Sequence, residues 1–536
     1  MTRIALVRAL PAVALAALVL VPFLDKAFTV DDTVFLRQGE HAVQDPLHPS
    51  AFQMIWADVP ARVSPTSGTV MAWLLVPAIL AGGSERVAHL AQLAMLALAL
   101  LATVSLGLRL GLSPGWASAS GLLLAATPAV LGMAGTAMAD VPAMSLGVLG
   151  LERLVAWRQE RRLHQAVLAA ALLGFAPMTR PHLFLALGVG ALLLVGDFLE
   201  PDSWRKTGWR LWVPLAAAPL LTALLMLLTR DPSPNAAGLV AAAGQTSAWG
   251  RVPTNLVAFS SHWVLALPLA LPWALLRPLR LLQRWWVLLL GAAAMGLLLV
   301  LSRRPGVPTQ WFIAPIAGLG FAVLWDVLAD GWERRDGPQL ALGLWLLVAL
   351  VATPYFQVPS KFLLASAPAA ALLVARQASR GHGRAPALAL GATCALGLAL
   401  GVAILRADAA FAGLGRDAAR ALIAPQVAAG RPVWFTGHWG FQWYAEKAGG
   451  RIVTLTPPYP APGDLVVVSR NSEAGYLINQ MVLRGLRLRH LGILEDRTPG
   501  GRLMADGAGF YSNGWGYLPW TWGEGVLDAF LVAQVE

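Results

Sequence analysis

Long stretches of the chain are apolar at every position, without the alternation of a half-buried strand or the one-sided stripe of an amphipathic helix. "ALPAVALAALVLVPFL", the core of a run over 5–24, "VAHLAQLAMLALALLATVSLGL" and "APALALGATCALGLALGVAIL" mark three stretches of about 20 residues with little or no charge. At about 1.5 Å per residue, a helix of that length crosses the roughly 30 Å hydrocarbon core of a bilayer. A membrane barrel would instead alternate apolar and polar side chains in blocks of about ten. Thirteen helical spans are predicted, near residues 5–24, 86–108, 115–132, 140–157, 165–180, 182–199, 211–229, 260–276, 285–301, 310–327, 339–353, 361–376 and 385–405. The run "TVMAWLLVPAILAGG" (69–83) is too short to cross and is assigned to a helix at the outer interface, inside a first external loop covering 25–85.

Beyond about residue 405 the texture changes. Short β-rich runs "RPVWFTG", "RIVTLT" and "GDLVVVSR", a helix-like "FQWYAEKAG" and a closing "VLDAFLVAQV" are separated by Gly and Pro. This pattern predicts a small α/β domain over 406–536. The expected fold is therefore an all-α polytopic membrane domain, residues 1–405, followed by a C-terminal α/β domain outside the cell membrane.

Composition agrees: 57% hydrophobic and 13% charged residues with a mean hydropathy of +0.61 give more apolar surface than a soluble fold of 536 residues buries. The formal charge of +11 lies in short clusters between spans rather than in a basic tract with interleaved aromatics, which excludes nucleic acid as the partner. The clusters Arg158–Arg161–Arg162, Arg277–Arg280–Arg284, Arg334–Arg335 and Arg376–Arg380–Arg384 fall in loops on one side. The positive-inside rule then puts the N-terminus in the cytoplasm and the C-terminal domain outside. The start "MTRIALVR" is followed by an apolar run, but "PFLDKAF" offers no small-residue cleavage pattern, so the first helix is expected to stay attached.

A single cysteine, Cys394, excludes an internal disulfide and a cysteine-rich metal site. No HExxH spacing, P-loop, nucleophile elbow or dinucleotide fingerprint occurs, and no metal ligands are assigned. The informative residues are polar ones at outer span ends: Asp31 and Asp32 in "VDDTVF", Asp140 in "AGTAMADVPAM", Arg180 with His182 in "MTRPHLF", Arg303 and Arg304 in "LSRRPGVPTQW", and Lys361 in "VPSKFLL". Carboxylates and cations at one membrane level suit phosphate chemistry. Each also has a plainer use: Asp140 as the N-cap before Pro142, the Asp31–Asp32 pair as the cap of an interfacial helix from Thr33, and the cations as lipid-headgroup anchors.

With "VDDTVFLRQGEHAVQDPLHP", "SPTSGTVMAWLLVPAILAGGSE", "AGTAMADVPAMSLGVLGLERL" and "PSKFLLASAPAAALLVAR" in this order, residues 1–400 resemble the GT-C superfamily of membrane glycosyltransferases. The likeness is greatest to the bacterial group related to protein O-mannosyltransferases and lipid A aminoarabinose transferases. The resemblance implies a multi-pass protein of the inner (cytoplasmic) membrane. It would transfer a sugar from a polyprenyl-phosphate carrier to a lipid, glycan or protein acceptor at the outer face, with inversion. It implies Asp31 as the catalytic aspartate, Asp32 beside it, and Asp140 as the second acidic position. Where the aminoarabinose enzymes carry an acidic-basic pair before the proline, this chain has "SPTSG", so no cofactor is assigned and a divalent ion stays an open alternative.

The chemistry fits on independent grounds. Glycosidases need two carboxylates because their leaving group is an alkoxide. A polyprenyl phosphate leaves without protonation, so one carboxylate acting on the acceptor hydroxyl suffices while cations hold the phosphate. Arg303, Arg304, Lys361 and Arg180 are the candidate phosphate partners. The aromatic set Trp434, Trp439, Trp443, Trp515, Trp520 and Trp522 suits sugar rings and equally suits a core or an interfacial anchor. The competing readings are a transporter or flippase for a lipid-linked or anionic solute, and a noncatalytic assembly protein.

Overall fold

The computed structural model describes all residues except 1, 57–58, 63–67, 197, 201, 230–247, 268, 302–309, 356, 473–481 and 483–484. The apolar stretches form helices, beginning with α1 (Arg3–Leu20), α2 (Asp32–Gln44), α3 (Thr69–Leu80), α4 (Glu85–Arg109), α5 (Pro114–Ala125), α6 (Pro128–Ala134) and α7 (Asp140–Glu160). Among the described residues six helices are long and apolar enough to cross a membrane, or eight if each of two bent pairs counts as one span. The expected count of thirteen is not confirmed. Several apolar segments are shorter than a bilayer crossing, among them Leu163–Met178, Pro181–Val195 and Trp285–Leu301. One of the bent pairs, α5 and α6, turns by 59° where Pro128 opens a new helix.

The run assigned to the interface is α3, which packs on α2 and α4 through Met71, Ala72, Leu75 and Ala78. The helix crossing residue 405 does not stop there. It runs from Ala385 to Ala418, so the division drawn at 405/406 falls within a continuous element. Beyond it lie strands, numbered after the hairpin β1 (Gln53–Trp56) and β2 (Val59–Arg62): β3 (Val433–Thr436), β4 (Arg451–Ile452), β5 (Leu465–Ser469), β6 (Leu488–Asp496), β7 (Gly500–Arg502), β8 (Gly507–Ala508), β9 (Gly516–Leu518), β10 (Thr521–Gly523) and β11 (Asp528–Val535). Five of them make a mixed sheet in the order β4-β3-β5-β11-β6. Strand β5 is parallel to β3 and antiparallel to β11, with Val433 opposite Leu465 and Val467 opposite Val532. Phe435, Val467 and Phe530 pack on one sheet face against the helix Trp439–Lys447, while Trp434, Val466 and Val535 fill the other.

The C-terminal strands do not stand apart from the helices. Leu503, Phe510 and Tyr511 belong to the same buried cluster as α1, α4 and α7. Gln310 donates to Gly507 O and accepts from Tyr517 N, and Asn513 joins Asn255 at 2.9 Å and Val358 at 3.1 Å. Charge is sorted by helix end. At the C-terminal end of α4, Arg109 pairs with Glu152 and Glu160, and the adjoining Leu110 carbonyl accepts from Arg376. Arg277, Arg280 and Arg380 close on Asp326, Asp330 and Asp336. At the other end of α4, Glu85 meets Arg416 and Tyr444 of the C-terminal region. The arginine clusters and the C-terminal strands thus occupy opposite ends of the helices.

Candidate active site

Asp31 occupies the N-cap position of α2, yet its side chain makes no capping bond. It reaches instead across 330 residues to Lys361, Oδ2 to Nζ at 2.6 Å. Burial raises the Asp31 carboxyl, and the Lys361 ammonium, helped by Arg180, more than reverses this, so the group lies below the ordinary carboxylate value. Lys361 is 4% exposed and Asp31 34%, so the carboxylate is the open member of the pair. Asp140 is the first residue of α7, one position past the N-cap, which is Ala139. It takes a forked pair of bonds from Arg180, Nε at 3.0 Å and Nη2 at 2.7 Å. The plain capping reading therefore fails for both aspartates. The Arg180 guanidinium also lies over the rings of Phe35 (5.9 Å) and Phe362 (6.0 Å), which brings α2, α7 and the segment around Lys361 to one place.

Asp32 behaves differently. It is fully buried and its two oxygens accept from Thr29 N and Ala137 N, both at 2.8 Å. One carboxylate thus ties the turn before Asp31 to the turn before Asp140. Burial, reinforced by the nearby Asp408, outweighs the pull of Lys26 and the two amides and lifts Asp32 to about 7. Behind it Lys26 pairs with Asp408 at 2.6 Å, both buried, and Asp408 also accepts from Thr29 Oγ1 at 3.1 Å. The Tyr511 hydroxyl is raised well above its ordinary value, first by burial and then by Asp408 and Asp32.

Four of the residues chosen from sequence, Asp31, Asp140, Arg180 and Lys361, therefore meet in one site, with Asp32 beneath them. Arg303 and Arg304 lie outside the described residues. Sequence reasoning did not single out Lys26, Asp408 or Tyr511, which sit near other residues of the chain only through the fold. It also missed Gln357 and Ser360, whose side-chain oxygens, like His182 Nε2, are buried without a protein partner in the segments flanking Arg180 and Lys361. The available signal was position: Ser360 is next to the candidate cation Lys361, and Gln357 is four residues before it. Among the described residues no three His, Cys, Asp or Glu side chains gather as a metal cluster requires, and a metal is not established.

The backbone beneath the site is strained. Val30, immediately before Asp31, has φ of 33°, and Trp439 has φ of 60°, a region that costs a side chain free energy. The two are linked, because Thr33 Oγ1 donates to the Trp439 carbonyl at 2.5 Å. Phe28 N–H donates to the Tyr444 hydroxyl, which in turn donates to Glu85, each at 2.9 Å. The helix Trp439–Lys447 is thus fastened directly to the segment that presents Asp31.

No protein-family model and no curated protein matches the chain. Solved structures similar to it are GT-C glycosyltransferases. They include ArnT from Cupriavidus metallidurans bound to undecaprenyl phosphate, at 18% identity over 90% of this chain and 96% of that one with a TM-score of 0.48. The Archaeoglobus fulgidus oligosaccharyltransferase in complex with Zn and sulfate gives 13% identity, 85% and 68% coverage and a TM-score of 0.46. The mycobacterial arabinofuranosyltransferase AftD gives 16%, 99% and 41%, and 0.42.

Proposed function

We propose that the protein is an integral-membrane glycosyltransferase that moves a sugar from a polyprenyl-phosphate donor to an acceptor hydroxyl at the outer face of the inner membrane. The observation that carries this reading is the pairing of a partly open, ionised Asp31 with a buried Lys361 at 2.6 Å, beside the Asp140–Arg180 fork. An open carboxylate beside two cations, one of them oriented by a second carboxylate, is a set able to deprotonate a hydroxyl and hold a phosphate leaving group.

The donor phosphate sits against Lys361 and Arg180, with Arg303 and Arg304 as further candidate partners. Lys361 has three donors and bridges the phosphate and Asp31 together. As the phosphate draws on the ammonium, Asp31 regains basicity and takes the acceptor proton. The acceptor oxygen bonds to the anomeric carbon while the bond from that carbon to the phosphate oxygen breaks, with inversion. The electron pair leaves on polyprenyl phosphate, whose charge the two cations offset. Asp140 orients the Arg180 guanidinium, and Asp32 acts as a strut rather than a base. The test is direct: purified protein in lipid with a labelled polyprenyl-phosphate sugar should release free polyprenyl phosphate when acceptor is added. No release across a broad donor panel would overturn the reading.

A further inference from the structure

The six tryptophans of the C-terminal region, equivalent by sequence, separate in the fold. Trp434 and Trp443 are buried at 4% and 2%, whereas Trp522 is exposed and tilts against Trp520. Trp439 and Trp515 alone of the six line a crevice between the helix Ala385–Ala418 and the C-terminal strands. Their rings meet edge to face at 5.9 Å, and Phe411 meets Trp439 at 6.1 Å, making an aromatic corner. Asp408, Asn471 and Arg502 are the polar groups of the same crevice. Asn471 commits its side-chain amide to Leu527 O at 2.6 Å, which leaves its oxygen as an acceptor. On the far side of Trp439 a second cavity, sharing Phe411, reaches Thr29, two residues before Asp31.

We propose that this crevice is a subsite for one neutral sugar ring, and that the acceptor class is a glycan. The proposal rests on the glycosyltransferase reading above and deepens it. An aromatic corner takes the apolar C–H face of a pyranose or furanose, and the Asn471 amide oxygen at its edge suits a ring hydroxyl, whereas Asp408 and Arg502 are already held by Lys26 and Thr29 and by backbone carbonyls and shape the crevice floor. The positive φ of Trp439 adds to the case. The strain holds this ring at the mouth of both cavities, and the Thr33 bond to its carbonyl joins the subsite to the helix that begins at Asp31.

The test is saturation-transfer NMR on the full chain in micelles, without donor, against a panel of methyl glycosides of neutral hexoses and pentoses. The expected result is transfer to the ring protons of at least one glycoside. Affinity should fall roughly threefold to tenfold in Trp515→Leu, the loss of one aromatic contact. Asn471→Ala, at the rim, gives a second reading that does not disturb the aromatic corner and should also weaken binding. The proposal is overturned if no glycoside binds, if binding is unchanged in both variants, or if a fatty-acyl probe binds there and glycosides do not compete. The two readings fail separately. Turnover of a donor without glycoside binding sinks the subsite alone, and Trp515-dependent glycoside binding without turnover of any donor sinks the reaction alone.

Discussion

Asp31 and Asp32 are neighbours in the chain with opposite circumstances. Asp31 is partly open and held ionised by Lys361, while Asp32 is fully buried with both oxygens on backbone amides. Asp31→Asn should lower transfer by roughly 10²- to 10⁴-fold, the usual contribution of a general base, and should also lower the melting temperature, because the buried Lys361 loses its charged partner. A rate of transfer equal to wild type would remove Asp31 as base. Because its carboxyl lies below the ordinary value, the acid limb of the rate should fall at lower pH than for an unperturbed aspartate. For Asp32 the linkage runs the other way. The unfolded chain ionises near 3.8 and the folded protein near 7, so stability from this group is complete below 3.8 and is lost as pH rises towards about 7. The melting temperature of wild type should therefore fall across that window relative to Asp32→Asn, and parallel curves would exclude Asp32 as the titrating group. The pair itself was legible in sequence. Its division of labour was not, because it depends on Ala137, Lys361 and Asp408, which are more than 100 residues away in the chain.

Among elements, the helix Trp439–Lys447 has the largest unforeseen role. "FQWYAEKAG" reads plainly as a helix, but nothing in its pattern tells which surface it covers, since amphipathicity names a buried face and not the partner. In the fold it clamps residues 28–40. Lys447 and Glu446 pair with Glu40 and Arg37, and a Cβ at Gly440 would stand 1.9 Å from Phe28 O. That close approach requires glycine. Gly440→Ala should cost about 1–3 kcal/mol, as overpacking does, and push the helix off the Asp31 segment. Tyr444→Phe leaves the Phe28 N–H without its partner and should cost about 1–3 kcal/mol. If either variant keeps both wild-type stability in denaturant and wild-type transfer, the clamp is not what positions Asp31. The span count of thirteen is not confirmed for a related reason. Apolar content marks a segment as buried in lipid or protein, but whether it runs straight through depends on breaks such as that at Pro128, and several segments here are too short to cross unaided.

At the scale of the whole molecule, the sorting of charge fixes what an experiment on orientation should see. Asp31, Asp140, Arg180, Lys361 and the C-terminal strands share one end of the helices, and the paired arginines around Asp326, Asp330 and Asp336 share the other. Basic loops are retained on the cytoplasmic side, so the expected orientation has the arginine end inward and the proposed active site outward. The membrane potential and the anionic inner leaflet both favour that arrangement. The chain is well suited to a labelling test because Cys394 is its one cysteine. In a Cys394→Ala background, Tyr459→Cys on the exposed surface of the C-terminal region should react with a membrane-impermeant maleimide added to spheroplasts. Arg384→Cys, at the start of the helix Ala385–Ala418, should react only after the membrane is opened. The reverse pattern would place the Asp31 site in the cytoplasm. A lipid-linked donor would then have to present its sugar from the inner leaflet, and the proposed outer-face transfer would fail with it.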